Sequence, residues 1–186
     1  MRGEVLPTYF DYNATTPLLP EVVEAMLPYL GEHFGNPSSG HVFGRRARYA
    51  VENARDQVAS LLGAEPEEIV FTSGGTEANN LAILGAAEMF RHKKHLVTSV
   101  IEHPATAEPC RWLQQRGWQV SWLPVDETGR ISVHDVAGAL VEGAALVTVM
   151  HANNETGTIQ PIASAARAAH AVEALFQPTR HNRWAR

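Results

Sequence analysis

Apolar residues recur along this chain with two periods, and the periods alternate. Val22, Val23, Met26, Leu27 and Leu30 fall at helical spacing behind Pro20, a residue suited to a first helical turn, so a helix is expected over 20–30. A longer helix is expected over 43–62, stopped by Gly63. Glu68-Ile69-Val70-Phe71 is short and β-prone, and Leu81, Ala82, Leu84 and Gly85 return to helical spacing. The stretch between them, Thr72-Ser73-Gly74-Gly75-Thr76, therefore reads as a glycine turn joining a strand to a helix. Beyond it the rhythm is regular. Strands are expected over 95–100, 119–123 and 145–150, with another beginning over 172–176. Helices are expected from Pro104 until Gly117 closes the turn, then over 133–141 and 162–170. Strands alternating with helices predict an α/β fold, a mainly parallel sheet with helices on both faces.

Ligands of such sheets bind beyond the carboxyl ends of the strands. Three loops leave strands at that edge: Ser73-Gly74-Gly75-Thr76, Ile101-Glu102-His103-Pro104 and His151-Ala152-Asn153-Asn154-Glu155-Thr156-Gly157. In the first, the glycines let the backbone approach a ligand. The free N–H groups of the following helix, its dipole and the hydroxyls of Ser73 and Thr76 would favour an anion. The loop is neither a GxGxxG fingerprint nor a Walker loop, and an ordinary turn capped by Thr76 accounts for it equally well when taken alone. His103 stands just before a helix whose first turn holds Pro104. Its imidazole has the chemistry to stack on a flat ring or relay protons, although a solvated helix-start histidine has the same local sequence. A turn explains Gly157 and one asparagine of the third loop, but not the whole polar cluster. Three polar loops on one rim point to a binding site.

Composition narrows the function classes. A chain of 186 residues with 45% apolar content suits one globular domain. The formal net charge of −5 is spread out, which argues against a nucleic-acid or membrane surface. No apolar run approaches the roughly 18–20 residues of a membrane span, and the first residues lack the apolar stretch of a signal peptide. Cys110 is the single cysteine, so no internal disulfide is available and a cytoplasmic setting is expected. Within its helix Cys110 reads as a packing residue. The two lysines, Lys93 and Lys94, lie in the charged run Arg91-His92-Lys93-Lys94-His95, expected to be solvated and on the opposite rim of the sheet.

Five segments in order, Asp11-Tyr12-Asn13-Ala14-Thr15-Thr16-Pro17, Gly35-Asn36-Pro37-Ser38-Ser39, Thr72-Ser73-Gly74-Gly75-Thr76-Glu77, Glu102-His103 and Asn153-Asn154-Glu155-Thr156-Gly157, resemble the cysteine desulfurases. These are class V aminotransferase-fold enzymes that use pyridoxal 5′-phosphate (PLP), and the match runs from about Tyr9 to Phe176. The resemblance implies part of the large domain of a fold type I PLP-dependent transferase. It implies that Gly75 and Thr76 hold the cofactor phosphate, that His103 stacks on the pyridine ring and assists proton transfers, and that Asn154 hydrogen-bonds the phenolic oxygen. Asn13, Ala14, Thr15 and Asn36 would lie near the substrate, across a homodimer interface. The family's reaction removes sulfur from L-cysteine, leaving alanine and a persulfide on an enzyme cysteine. The sulfur then passes to acceptor proteins, for iron–sulfur cluster assembly or other transfer. Selenocysteine lyases share the same blocks.

The chain also departs from the family pattern. The family's Schiff-base lysine comes well downstream, after a strand ending in an aspartate that pairs with the pyridine nitrogen. Neither Lys93 nor Lys94 matches it, and the aspartate is missing. The persulfide-bearing cysteine and the substrate-carboxylate arginine also belong to the family's later part. Residues 177–186 match nothing in the family. One base restored in the codon of Gln177, with suitable synonymous codons, turns the tail into His-Thr-Asp-Ala-Ala-Gln-Ser-Val-Gly-Lys, which resembles the aspartate strand. A frameshift is thus expected, dividing the chain into a family segment over 1–176 and an out-of-family tail over 177–186. Such a chain is expected to be inactive alone. A second reading makes it a non-catalytic module that binds a phosphate ligand or a full-length homologue. In either case an unpaired edge strand and uncovered apolar faces are expected to cost solubility and cofactor retention. Trp112, Trp118, Trp122, Leu146, Val147 and Val149 are the residues expected to need cover.

Overall fold

Four five-residue strands, β1 (His95–Ser99), β2 (Gln119–Leu123), β3 (Leu146–Met150) and β4 (Leu175–Thr179), form one sheet in the order β2-β1-β3-β4. Every pairing is parallel, in the computed structural model that describes residues 7–12 and 15–179. β1 and β3 are buried along their whole length, polar His95, Thr98, Ser99 and Thr148 included, so neither strand alternates between apolar and polar positions. Even so, the pleat sorts their side chains. Leu96 and Leu146 join Ile83, Ala86 and Ala87 of α3 (Gly75–Met89) and Cys110 and Leu113 of α4 (Pro104–Gln114). Val97, Val147 and Val149 join Val136 of α5 (Val133–Ala139) and Ala165 and Ala169 of α6 (Ile162–Ala171) on the other face. The expected α/β architecture, with helices on both faces, is the one observed.

These elements belong to the second of two units, residues 72–186; the first is residues 1–71. The first unit holds the two helices expected there, α1 (Pro20–Gly31) and α2 (Val42–Leu62), with Gly63 closing α2 in the left-handed conformation at φ 66°. No residue of α1 is buried, in keeping with an expected uncovered apolar face.

Three expectations need correction. Residues 68–71 do not form a strand: Pro66–Glu68 is a short 3-10 turn closed by a reciprocal Glu65–Glu68 capping box, and Ile69 after it is extended without joining a sheet. A β-prone run without a partner strand among the described residues has no ladder to join. The last strand begins at Leu175, not at Val172. The carboxyl end of α6 takes up residues 172–174 in a turn, with Val172 and Glu173 bonding back to Ala169 and His170 and Glu173 at φ 57°. Leu146, Val147 and Val149 need no outside cover, since all are buried within their own unit, whereas Trp112 remains 45% exposed.

Thr98, Thr148 and Gln177 lie in register across β1, β3 and β4, on the face toward α3 and α4. Gln177 Nε2 donates to Asn79 Oδ1 at 3.2 Å, and Asn79 Nδ2 donates to Thr106 Oγ1 at 3.3 Å, tying α3 to both β4 and α4. The hydroxyl of Thr148, fully buried, has no hydrogen-bond partner among the described residues. An orphaned buried hydroxyl costs about 1–3 kcal/mol, and valine has nearly the same shape. Thr148→Val is therefore expected to raise unfolding stability by about 1 kcal/mol in a urea titration, and a loss of stability would show that the hydroxyl is paired in solution.

Candidate functional site

The strand order determines where a crevice opens. β1 is followed by α4 on one face of the sheet, and β3 is followed by α6 on the other. The chain thus leaves neighbouring strands in opposite directions between β1 and β3, a topological switch point of the kind where open parallel sheets bind ligands. Two of the three polar loops flank it. Asn153 Nδ2 reaches across to the carbonyl of Ile101 at 3.4 Å.

The glycine loop, Ser73-Gly74-Gly75-Thr76, reaches the same end through α3. The first helical bond of α3 runs from Ala78 N to Gly74 O, so the N–H groups of Gly75, Thr76 and Glu77 precede its ladder. An added Cβ at Gly74 or Gly75 would meet nothing within 4 Å, leaving open space over the turn. Thr76 and His103 line one cavity of about 450 Å³, shared with Asn80, Pro104 and Trp112. Ser73 is not a free donor. Its N–H and hydroxyl both donate to Glu77 Oε2, which holds that exposed carboxyl below its ordinary range and gives the helix start an acidic cap.

His103 is the N-cap of α4, and its Nδ1 accepts the N–H of Ala105 at 3.0 Å. The neutral ring therefore carries its proton on Nε2. The asparagine pair divides its work. Asn153 Oδ1 accepts the N–H groups of Glu155 and Thr156, each at 2.9 Å, and its amide holds Ile101, so Asn153 builds the loop. Asn154, next along it, is exposed on the rim. Thr15 and Asn36 belong to the first unit, where Asn36 Oδ1 accepts Ser38 N–H at 2.8 Å in an Asx turn. Asn13 and Ala14 lie outside the described residues, as do residues 180–186 of the tail. Lys93 and Lys94 line a cavity with Gln119 and Gly143 at the amino ends of the strands, the opposite rim, as expected.

Glu102, named in the sequence only as part of the loop and of a family segment, has a position that its local sequence does not explain. It is 9% exposed. Its Oε1 accepts the Ser99 hydroxyl at 2.6 Å and Met150 N–H at 2.8 Å, and its Oε2 accepts the Thr179 hydroxyl at 3.2 Å. The one signal available was a glutamate within an apolar strand's exit, beside the histidine. Burial raises its pKa above the ordinary 4.5, and the three hydrogen bonds offset part of that rise. A carboxyl that holds its proton more tightly when folded favours the native state at low pH, and that contribution is lost as pH rises from 4.5 through the raised value. Glu102→Gln is expected to remove this component, so the stability difference between variant and parent grows over that window and then levels. A difference constant from pH 4 to 8 in urea titrations would contradict the shift.

The profile of the aminotransferase class V family matches residues 8–177. The chain is 50% identical over 177 residues to the cysteine desulfurase IscS of Dictyoglomus turgidum, covering 95% of this chain and 44% of that protein. It is also 50% identical over 168 residues to the human cysteine desulfurase, covering 89% of this chain and 37% of the relative. Among solved structures, a NifS-like protein superposes with a TM-score of 0.87 at 38% identity, over 92% of this chain and 48% of that one. A structure described as SspA in complex with cysteine gives 0.85 at 41% identity, over 91% and 49%. The chain spans less than half the length of these relatives. Fold, motif order and sequence agree: this chain belongs to the aminotransferase class V family, and it covers the amino-terminal part of the cysteine desulfurases within it.

Proposed function

We propose that this chain forms the cofactor-gripping part of a cysteine desulfurase site. The reaction it would serve is PLP-dependent removal of sulfur from L-cysteine, giving alanine and an enzyme persulfide for iron–sulfur cluster assembly or other sulfur transfer. The observation that carries the reading is the meeting of Thr76 and His103 on one cavity, beside the open glycine turn at the start of α3. The donors suit a phosphorylated aromatic aldehyde. The N–H of Gly75 and the hydroxyl of Thr76 would hold the phosphate at a helix start, where the dipole favours an anion. The imidazole of His103 would lie against the ring and assist proton transfers. The amide of Asn154 would orient the phenolic oxygen, and Asn13, Ala14, Thr15 and Asn36 would lie near the substrate. PLP, when bound, supplies the electron sink for C–S cleavage.

By itself this chain is not expected to turn over. Its two lysines stand on the wrong rim, so the amine that would capture the aldehyde is not at the grip. A homodimer and sulfur-acceptor proteins are the partners this reading implies. Titration with PLP, followed by amide and histidine resonances, tests the grip. Shifts at Gly75, Thr76 and His103 are expected, competed by inorganic phosphate and weakened about tenfold by Thr76→Val. Borohydride should leave no covalent label at the site. Shifts confined to Lys93 and Lys94 would overturn the proposal.

A further inference from the structure

We infer that Glu102 is a positioning residue: its carboxylate pins the β1–α4 loop to the ends of β3 and β4 and so fixes the imidazole of His103. The donors it accepts come from three strands, Ser99 of β1, Met150 of β3 and Thr179 of β4. Backbone pairing joins β3 to β4 at Met150 and Thr179 but does not tie β1 to β3 at this end. The register of β1 with β3 runs out at Thr98 and Thr148, two residues short of Met150, and the carboxylate takes the N–H that the ladder leaves. No cation pairs with Glu102 among the described residues, so the buried carboxyl group is held by neutral partners alone. Such a group is expensive to bury, and an apolar side chain would pack at less cost. What the carboxylate adds is a fixed distance between three strand ends.

The neighbouring contacts turn that fixed distance into an orientation. Ile101, one residue before, has its carbonyl held by Asn153 Nδ2. His103, one residue after, has an extended backbone at φ −60° and ψ 148°, and its Nδ1 is held by Ala105 N–H. With both sides of the loop anchored, the ring keeps one tautomer and one heading. Its importance to catalysis rests on the cofactor role proposed for His103, but the clamp itself is tested without any cofactor.

The test is made on the whole chain, with the side-chain nitrogen shifts of His103 and the hydrogen exchange of Met150 N–H as readouts. In Glu102→Ala, Met150 is expected to exchange at least tenfold faster, and the His103 shifts to move toward a mixture of tautomers. Glu102→Gln should restore both. The glutamine Oε1 can still accept from Ser99 and Met150, and its amide can donate to the Thr179 hydroxyl, which is able to accept. Thr179→Val, a milder change, should move the His103 shifts in the same direction by a smaller amount, and it decides the matter if the alanine variant does not fold. A melting temperature that falls while the His103 shifts stay at parent values overturns the proposal, as does failure of glutamine to rescue. Failure of PLP to bind with the clamp intact counts only against the cofactor reading.

Discussion

Replacing Gly44 by alanine is expected to destabilise the first unit by about 3 kcal/mol or more, although alanine is the better helix former by about 1 kcal/mol. Gly44 is buried in the first turn of α2. A Cβ there would sit 2.2 Å from the carbonyl oxygen of Ser39 and 2.7 Å from that of Asn36, and both are backbone atoms. The loop cannot retreat easily. Arg48 Nε donates to Pro37 O at 2.8 Å, Arg45 Nη1 donates to Gly40 O at 2.6 Å, and Ser39 N–H donates to Asn36 O at 3.0 Å. A second close approach, at Gly35, would put a Cβ 2.3 Å from Phe43 O. Loop and helix therefore meet backbone to backbone at two points, and glycine is what allows it. Gly85→Ala in α3 is the control, because nothing lies within 4 Å of its added Cβ. That variant should gain up to about 1 kcal/mol. Urea titrations of both, with exchange measured over residues 35–45, decide the matter; equal behaviour would show that the loop yields.

Much of the fold was legible because local and global signals agreed. Pro20 and Pro104 start helices where proline lacks an N–H to lose, and β1, β2 and β3 announced themselves as short β-prone runs between turns. Residues 68–71 misled because strand propensity is a statement about partners, and no partner strand is present among the described residues. The site was legible as far as the chain's own punctuation marks it: a double glycine, a histidine before a proline, a polar cluster after a strand. What stayed hidden was the wiring. Nothing in the local sequence says that Glu77 would take both donors of Ser73, or that Asn153 Oδ1 would accept two N–H groups of its own loop. Glu102 was the deepest miss, since its donors Met150 and Thr179 lie 48 and 77 residues away. Contacts of that range have no periodicity to reveal them.

Cys110 in the folded chain is expected to resist alkylation by about a thousandfold relative to the urea-unfolded chain. Its thiol is fully buried among Ile83, Leu96, Leu113 and Leu146. Burial, and then the charge of Glu102, push its pKa from 9.0 up to about 12, against weaker opposing effects of Thr98 and Arg111. The thiolate is the reactive form, so at a given pH below 9 the reactive species is about a thousandfold scarcer than in an unperturbed cysteine, before access is counted. Iodoacetamide labelling at pH 8, in buffer and in urea, measures the ratio directly. The same chemistry bears on function. A sulfur-carrying cysteine must present a thiolate to the sulfur it accepts, and Cys110 has neither the charge state nor the exposure. Incubation with a complete cysteine desulfurase and L-cysteine should therefore leave Cys110 free of persulfide while the sheet is intact. Labelling that appears only as urea opens the second unit would report the opening of its core. Fast labelling in buffer would mean that α3 and α4 do not cover the sheet as described, and the cavity shared by Thr76 and His103 would go with them.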